Sequence, residues 1–204
     1  MDHPLHAFQY CPRCGSADFT VNDARSKRCG HCGFVYYLNP SSSVACFIRD
    51  REGRLLVVRR RCEPAKGTLD LPGGFAELDE TLEEALQREV REETGLTLRS
   101  FRYLFSLPNH YTFSGFVVHT LDAFFEGEVD SFEGVVVADD ASEAIVLAPE
   151  ALCPEQFGLH SIRKAVARYI STGCKETHVI AGIDPQSHYH SINATRCVPT
   201  HWTG

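Results

Sequence analysis

The sequence predicts an α/β fold: a mixed sheet packed between helices as an α/β/α sandwich, preceded by a small unit built around cysteines. Three observations carry this. Two amphipathic helical stretches, 83–94 and 157–170, are set among apolar strand-like runs. The strands do not alternate with the helices one for one, which separates the order from the βαβ repetition of a doubly wound sheet. Two Cys-x-x-Cys pairs fall within the first 40 residues. A chain of 204 residues can hold one well-cored domain and a small module. The expected division is 1–40, 41–171 and a C-terminal extension, 172–204.

Cys11-Pro12-Arg13-Cys14 and Cys29-Gly30-His31-Cys32 open the chain with 14 residues between them. Gly15 and Gly33 follow the two pairs and let backbone amides turn towards thiolate sulfur. Four thiolates at this spacing suit tetrahedral Zn²⁺. The segment is too short to fold on an apolar core alone, so the metal would supply much of its folding energy. It resembles a zinc ribbon, with Cys11, Cys14, Cys29 and Cys32 as ligands and His31 as a bystander. Only Arg13, Arg25, Lys27 and Arg28 bring positive charge here. That favours a structural ribbon over one that grips nucleic acid.

Asn39-Pro40 and Ser41 to Ser43 read as a linker. The run 44–49 and the run 55–61 flank the turn Asp50-Arg51-Glu52-Gly53 and read as a hairpin. Arg59, Arg60 and Arg61 end it, as phosphate contacts or as surface charge. The stretch 64–74 is a loop whose Pro72, Gly73 and Gly74 prevent helix and permit close backbone approach.

Along 83–94, with Gly95 as a left-handed stop, Leu82, Ala85, Leu86, Glu89, Val90 and Glu93 share one face. The first half of that face is apolar and should turn inward; the second half is acidic, with Glu92 beside it. Glu89, Glu92 and Glu93 repel by a few tenths of a kcal/mol per pair. They also approach the negative end of the helix dipole and lose hydration. Many Glu-rich helices are simply solvated, but the inward phase and the glycine turn before this one argue for a bound cation. Several carboxylates with few thiols or imidazoles favour a hard ion, Mg²⁺ or Mn²⁺.

Gly74, Glu80 and the run Arg88-Glu89-Val90-Arg91-Glu92-Glu93-Thr94-Gly95-Leu96 resemble the Nudix box in every fixed position. The resemblance implies the Nudix α/β/α sandwich and a Mg²⁺-dependent hydrolase that cleaves diphosphates linked to another moiety. It implies metal binding by Glu89, Glu92, Glu93 and a carbonyl of the glycine turn, at Gly73 or Gly74. Glu77 is a further candidate for metal or water contact. Arg88 would orient a carboxylate. Glu80 would be structural, pairing with Arg88 or capping the helix. The general base would be Glu92 or Glu93, or Glu143 from a later loop, with Asp139 and Asp140 behind it.

After the box, 97–105 reads as a strand, 106–111 as a loop, and 113–125 as a long strand bent at Gly115. The run 135–137 reads as short and buried, 144–147 as a strand, and Pro149-Glu150 as a short helix or turn. The helix at 157–170 would pack Ile162, Ala165, Val166, Tyr169 and Ile170 inward. The tail holds Cys174, His178, His188, His190, Cys197 and His201 at spacings that match no tight ligand pattern. It reads as a loosely packed extension.

A zinc ribbon followed by a Nudix domain resembles the NADH pyrophosphatases. Those carry SQPWPFPxS downstream of the box, where this chain has Ser106-Leu107-Pro108-Asn109-His110-Tyr111-Thr112-Phe113-Ser114. The placement matches, but the Trp and two later prolines are missing. That argues against NADH preference and keeps a nucleoside diphosphate derivative of ADP-ribose or dinucleotide type. Tyr111 and Phe113 are candidates to stack on its base, as Arg59 and Arg60 are to meet its phosphates. The competing reading is a nucleotide-sensing or nucleic-acid-associated module using the ribbon, including action on nucleotide-capped RNA.

The net charge is −7, and 77–93 alone holds eight acidic and two basic residues. The excess therefore belongs to the presumed metal site, and no basic stripe suggests a nucleic-acid partner. No apolar run reaches membrane-span length, and the N-terminus lacks a signal segment. Nine cysteines, four of them in Cys-x-x-Cys pairs, fit a reducing, cytoplasmic setting better than a disulfide framework. The family resemblance adds a homodimer as an expectation.

Overall fold

The computed structural model describes residues 3–137 and 141–172. In the first unit, β1 (Phe19–Asp23), β2 (Ser26–Cys29) and β3 (Val35–Tyr37) form a small antiparallel sheet. Gly15 and Gly33 adopt φ of 72° and 73°, and each donates its N–H back to the first cysteine of its pair, Cys11 or Cys29. That left-handed turn closes each knuckle. Cys11, Phe19 and Cys29 are the buried centre, too small a cluster to hold the unit on apolar contacts.

The main sheet contains β4 (Ser41–Arg49), β5 (Leu55–Arg60), β6 (Leu69–Asp70), β7 (Ser100–Phe113), β8 (Phe116–Glu128) and β9 (Ala141–Leu147). Its order is β6-β5-β4-β8-β7, with β9 also on β5. Only the β4–β8 pairing is parallel among these, so the sheet is mixed. β4 is central and buried on both faces, which is why its sequence is continuously apolar rather than alternating. Val44, Cys46 and Ile48 pack with Ala85, Leu86 and Val90 of α1 (Leu82–Thr94). Ala45 and Phe47 pack on the other face with Ile162, Ala165, Val166 and Tyr169 of α2 (His160–Thr172). One helix on each face gives the expected sandwich.

α1 begins where a capping box forms: Thr81 Oγ1 accepts from the Glu84 N–H, and Glu84 accepts from the Thr81 N–H. It ends at Gly95, whose φ is 71°.

Several local expectations change. Residues 106–111 are not a loop but the middle of β7, which pairs with β8 from Ser100 to Phe113. Pro108 and Asn109 resemble turn residues, but β7 is an edge strand, where a proline is tolerated. Gly115 does not bend a strand: with Ser114 it makes the two-residue turn joining β7 to β8, at φ of 74° and 50°. Ser41 to Ser43 belong to β4 rather than to a linker. The strand after the box begins at Ser100, not at Thr97. Val136 and Val137 are exposed and outside any strand, and Ile170 lies on the solvent side of α2. Asp139, Asp140 and the tail residues Cys174 to His201 lie outside the described residues.

Candidate active site

β5 shares one edge between two partners. Leu55 and Leu56 pair with β4, while Val58 and Arg59 pair with β6. The chain leaving β6 then pairs with the first half of β4. Cys46 donates to the Pro72 carbonyl and Val44 to the Gly74 carbonyl, both at 2.9 Å, and Ala76 donates to Ser42 at 3.1 Å. The glycine turn is thus a wedge held between β4 and β5. Gly73 has φ of 151°, and a Cβ there would lie 2.1 Å from the Val44 carbonyl oxygen. A Cβ on Gly74 would lie 2.5 Å from the Glu89 carboxylate. Only glycines let the wedge meet both the strand and α1.

α1 brings its acidic half to that wedge. Glu93 Oε2 accepts from the Gly73 N–H at 2.9 Å. Arg88 gathers the rest. It donates twice to Glu80 at 2.8 Å, to Glu89 at 2.7 Å, to Glu92 at 3.1 Å and to the Phe75 carbonyl at 3.0 Å. Glu80 therefore has the structural pairing expected of it. These hydrogen bonds hold its carboxyl down at about 2. Glu89 goes the other way: burial pushes its carboxyl up, and the charges of Glu92 and Glu80 add to that against the pull of Arg88.

The glutamates offer only oxygen, and one half-buried carboxylate has a single arginine against it. That donor set fits a hard divalent cation. In the structure Glu89 and Glu92 are turned onto Arg88 and Glu93 onto the wedge. The cysteines differ. Cys11, Cys14, Cys29 and Cys32 bring their sulfurs within 4.8 Å of one another. The Cys11–Cys32 and Cys14–Cys29 distances are both 3.7 Å. That is the edge of a tetrahedron whose centre lies about 2.3 Å from each sulfur, as in a zinc–thiolate site. The Cys32 N–H and then the His31 N–H favour the Cys29 thiolate and bring it down to about 6.

A cavity of about 440 Å³ opens beside the wedge. Gly73, Gly74, Phe75 and Glu93 line it on one side, and Asn109, Tyr111, Phe113, Thr120 and Asp122 line it along β7 and β8. Arg60 and Asp70 also face it and form an ion pair. Burial raises the Asp70 carboxyl despite that partner. Asp122 is buried and accepts hydrogen bonds from Ser43, Thr120 and Ser161. Tyr111 has its phenol raised by burial and then by the charge of Asp122.

Of the predicted site residues, Gly74, Glu93, Arg60, Tyr111 and Phe113 share this cavity. Glu89 meets it through Gly74, while Glu92 stands beside it on Arg88. Arg59 and Glu143 pair with each other at 2.9 Å and are not among the lining residues. Glu77 is exposed and donates its backbone N–H to Glu80. Asn109, Asp70 and Asp122 were not singled out from sequence. The one available signal was a charge set inside the apolar run Leu121-Asp122-Ala123-Phe124-Phe125.

A family model described as NUDIX domain matches residues 39–169, well over half of the chain. The chain belongs to the NUDIX family. A NAD-capped RNA hydrolase NudC from Haemophilus influenzae (strain PittGG) is 36% identical over 110 residues, covering 53% of this chain and 41% of the relative. A NudC from Chromobacterium violaceum is 37% identical over 102 residues, covering 50% of this chain and 38% of the relative. The match thus spans about two fifths of those relatives' length. Among solved structures, a NUDIX hydrolase from Nitrosomonas europaea has a TM-score of 0.60 at 20% identity, covering 81% of this chain and 92% of that one. A MutT NUDIX hydrolase from Burkholderia pseudomallei has a TM-score of 0.56 at 25% identity, covering 65% of this chain and 99% of that one. The first likeness establishes the NUDIX fold independently of sequence. NUDIX enzymes use divalent metals, and the four cysteines form a cluster able to hold zinc. No helix among the described residues is long and apolar enough to cross a membrane.

Proposed function

We propose that this NUDIX protein is a divalent-metal-dependent hydrolase cleaving the diphosphate linkage of a nucleoside diphosphate derivative, of ADP-ribose or dinucleotide type. One observation carries the reading: Glu93 and Glu89 of the box meet a glycine wedge, with Glu92 beside them on Arg88, and that wedge walls a cavity with aromatic rings opposite. Mg²⁺ or Mn²⁺ would be held by Glu89, Glu92, Glu93 and the Gly74 carbonyl. When bound, such an ion neutralises diphosphate charge and makes water a better nucleophile.

The chain's own groups have distinct tasks. Arg88 holds Glu89 and Glu92 in place from Glu80. Glu93 is the first candidate to take the proton from water, because it lines the cavity. Glu92 and Glu143 follow, one exposed and the other paired with Arg59. Tyr111 and Phe113 are placed to flank a base. Arg60 is the better candidate for the phosphates because it lines the cavity and Arg59 does not. Each guanidinium is already paired, Arg60 with Asp70 and the Pro64 carbonyl and Arg59 with Glu143 and the Gly67 carbonyl. Zn²⁺ on the four cysteines is structural. The same reading includes a reducing, cytoplasmic setting and a homodimer, which light scattering checks.

A second reading, action on nucleotide-capped RNA, is favoured by the NudC relatives, which are NAD-capped RNA hydrolases. The ribbon adds little to it. Lys27 is buried and donates to the Phe8 carbonyl at 2.6 Å, and Arg25 lies over the Tyr37 ring. RNA affinity that falls steeply with salt would support this reading.

The test is turnover of NADH, NAD, ADP-ribose, FAD, diadenosine polyphosphates, nucleoside triphosphates and NAD-capped RNA with Mg²⁺ or Mn²⁺. Metal-dependent release of a nucleoside monophosphate from ADP-ribose or a dinucleotide is expected. No turnover of any member, with nucleotide binding retained, overturns the hydrolase.

A further inference from the structure

Asn109 is 6% exposed and lines the cavity, yet its side-chain amide has no hydrogen-bond partner among the described residues. No fully buried side-chain nitrogen or oxygen among the described residues lacks a partner, so the Asn109 amide opens into the cavity, where its donor and acceptor are available to whatever enters. Its surroundings narrow what that is. Asn109 stands opposite Thr120 on β8, and Asp122 stands opposite Ser43 on β4. Asn109 and Asp122 therefore occupy adjacent rows of one sheet face, with Tyr111 next along β7. Ser161, in the first turn of α2, reaches Asp122 from above.

Asp122 is largely satisfied. Ser43 and Thr120 donate to Oδ1, and Ser161 donates to Oδ2. An ionised carboxylate has about four acceptor sites, so one remains, on Oδ2. It can take a single further donor. The hydroxyl contacts tie β4, β8 and α2 together and explain Asp122 as a structural residue. They do not explain Asn109, which none of them uses.

We infer that Asn109 and the free acceptor of Asp122 form a ring-recognition subsite for a flat ring carrying an amino donor beside an acceptor. An Asn amide matches such an edge with two hydrogen bonds, as it does on adenine. A purine with an oxo group in place of the amino group sets oxygen against the Asp122 carboxylate and leaves a buried acceptor unpaired. Sites built this way reject such analogues strongly. Adenine presents this edge at its amino group and nicotinamide at its carboxamide. The inference deepens the proposed hydrolase and rests on it only for where the diphosphate lies.

Calorimetric binding of mononucleotides to the zinc-loaded protein tests it, because these carry no diphosphate linkage and the result is independent of turnover. The pairs are AMP against IMP, and nicotinamide mononucleotide against its nicotinic acid counterpart. A preference of about tenfold or more for the amino-bearing member of one pair is expected, and which pair shows it identifies the ring. Asn109→Leu should reduce the preference to about threefold or less. Asn109→Asp keeps the shape, removes the donor, and should do the same if the leucine variant folds poorly. Equal binding within both pairs, or a preference that survives in a folded Asn109 variant, overturns the subsite. A preference that collapses as described in a protein that hydrolyses nothing overturns the hydrolase and leaves the subsite standing.

Discussion

Arg88 is the residue on which the acidic half of α1 depends. Like charges at i, i+3 and i+4 are unfavourable on any helix, and here one guanidinium touches Glu80, Glu89 and Glu92. Glu80 gains most from it. Its carboxyl falls from 4.5 to about 2, so its stabilising share is full above the ordinary carboxylate range and is lost as pH falls from there towards 2. Glu80→Gln should therefore lower urea stability near neutral pH, and the gap to wild type should shrink as the buffer is taken down through about pH 4. A gap independent of pH would mean that Glu80 acts by shape alone. Glu93→Gln should lower kcat by about two orders of magnitude, the scale for losing one preorganised charged group, with the far-UV spectrum intact. Gly74→Ala pushes a methyl into the Glu89 carboxylate. It should cost activity about tenfold or more while the melting temperature moves by only a few degrees. Glu92 stands exposed beside Glu89 and Glu93, whose placement against the wedge was legible because helix periodicity puts both on the inward face. Asn109 and Asp122 were not, because Asp122 meets Ser43 and Ser161 at sequence separations of 79 and 39. No local spacing encodes that.

Among the elements, α1 was the easiest to read. Thr81, Glu84 and Gly95 set its ends by local chemistry. Thr81→Ala should cost about 1 kcal/mol, read as a shift in urea midpoint. β7 was the hardest, since Pro108 and Asn109 signal a turn in any local window. Its pairing with β8 is tertiary and overrides that signal. The hairpin they form links the two units of the chain. Phe8 of the ribbon packs edge-on against Phe116 with ring centroids 5.5 Å apart, and Phe116 faces Phe113 at the hairpin tip. Tyr111 and Phe113 line the cavity from that same tip. Cys14→Ser should lose one equivalent of zinc. It should also raise KM more than it lowers kcat, because the tip loses its support. Unchanged KM in the zinc-free variant would detach the ribbon from the site.

On the scale of the whole molecule, the fold was legible because two helices and a central apolar strand can bury their faces in few ways. The wedge was not, because its glycines read as a free loop until β4 and β5 are seen to diverge around it. At the wedge, Glu89 should couple stability to pH in the opposite sense from Glu80, and to metal. Burial raises the Glu89 carboxyl, so the neutral form suits the metal-free fold. The corresponding share of stability is full at low pH and is lost as pH rises through that raised value. A divalent cation offsets the charge, so the gain in melting temperature on adding Mg²⁺ should be larger near pH 7.5 than near pH 5 (both about).

The most direct measurement is Mn²⁺ binding to the zinc-loaded protein by electron paramagnetic resonance, beside turnover of ADP-ribose. Wild type should bind Mn²⁺ and hydrolyse the substrate. Glu89→Gln and Glu93→Gln should lose both while keeping their zinc. Wild-type Mn²⁺ affinity and turnover in either folded variant would contradict the assignment of the α1 carboxylates as the metal site.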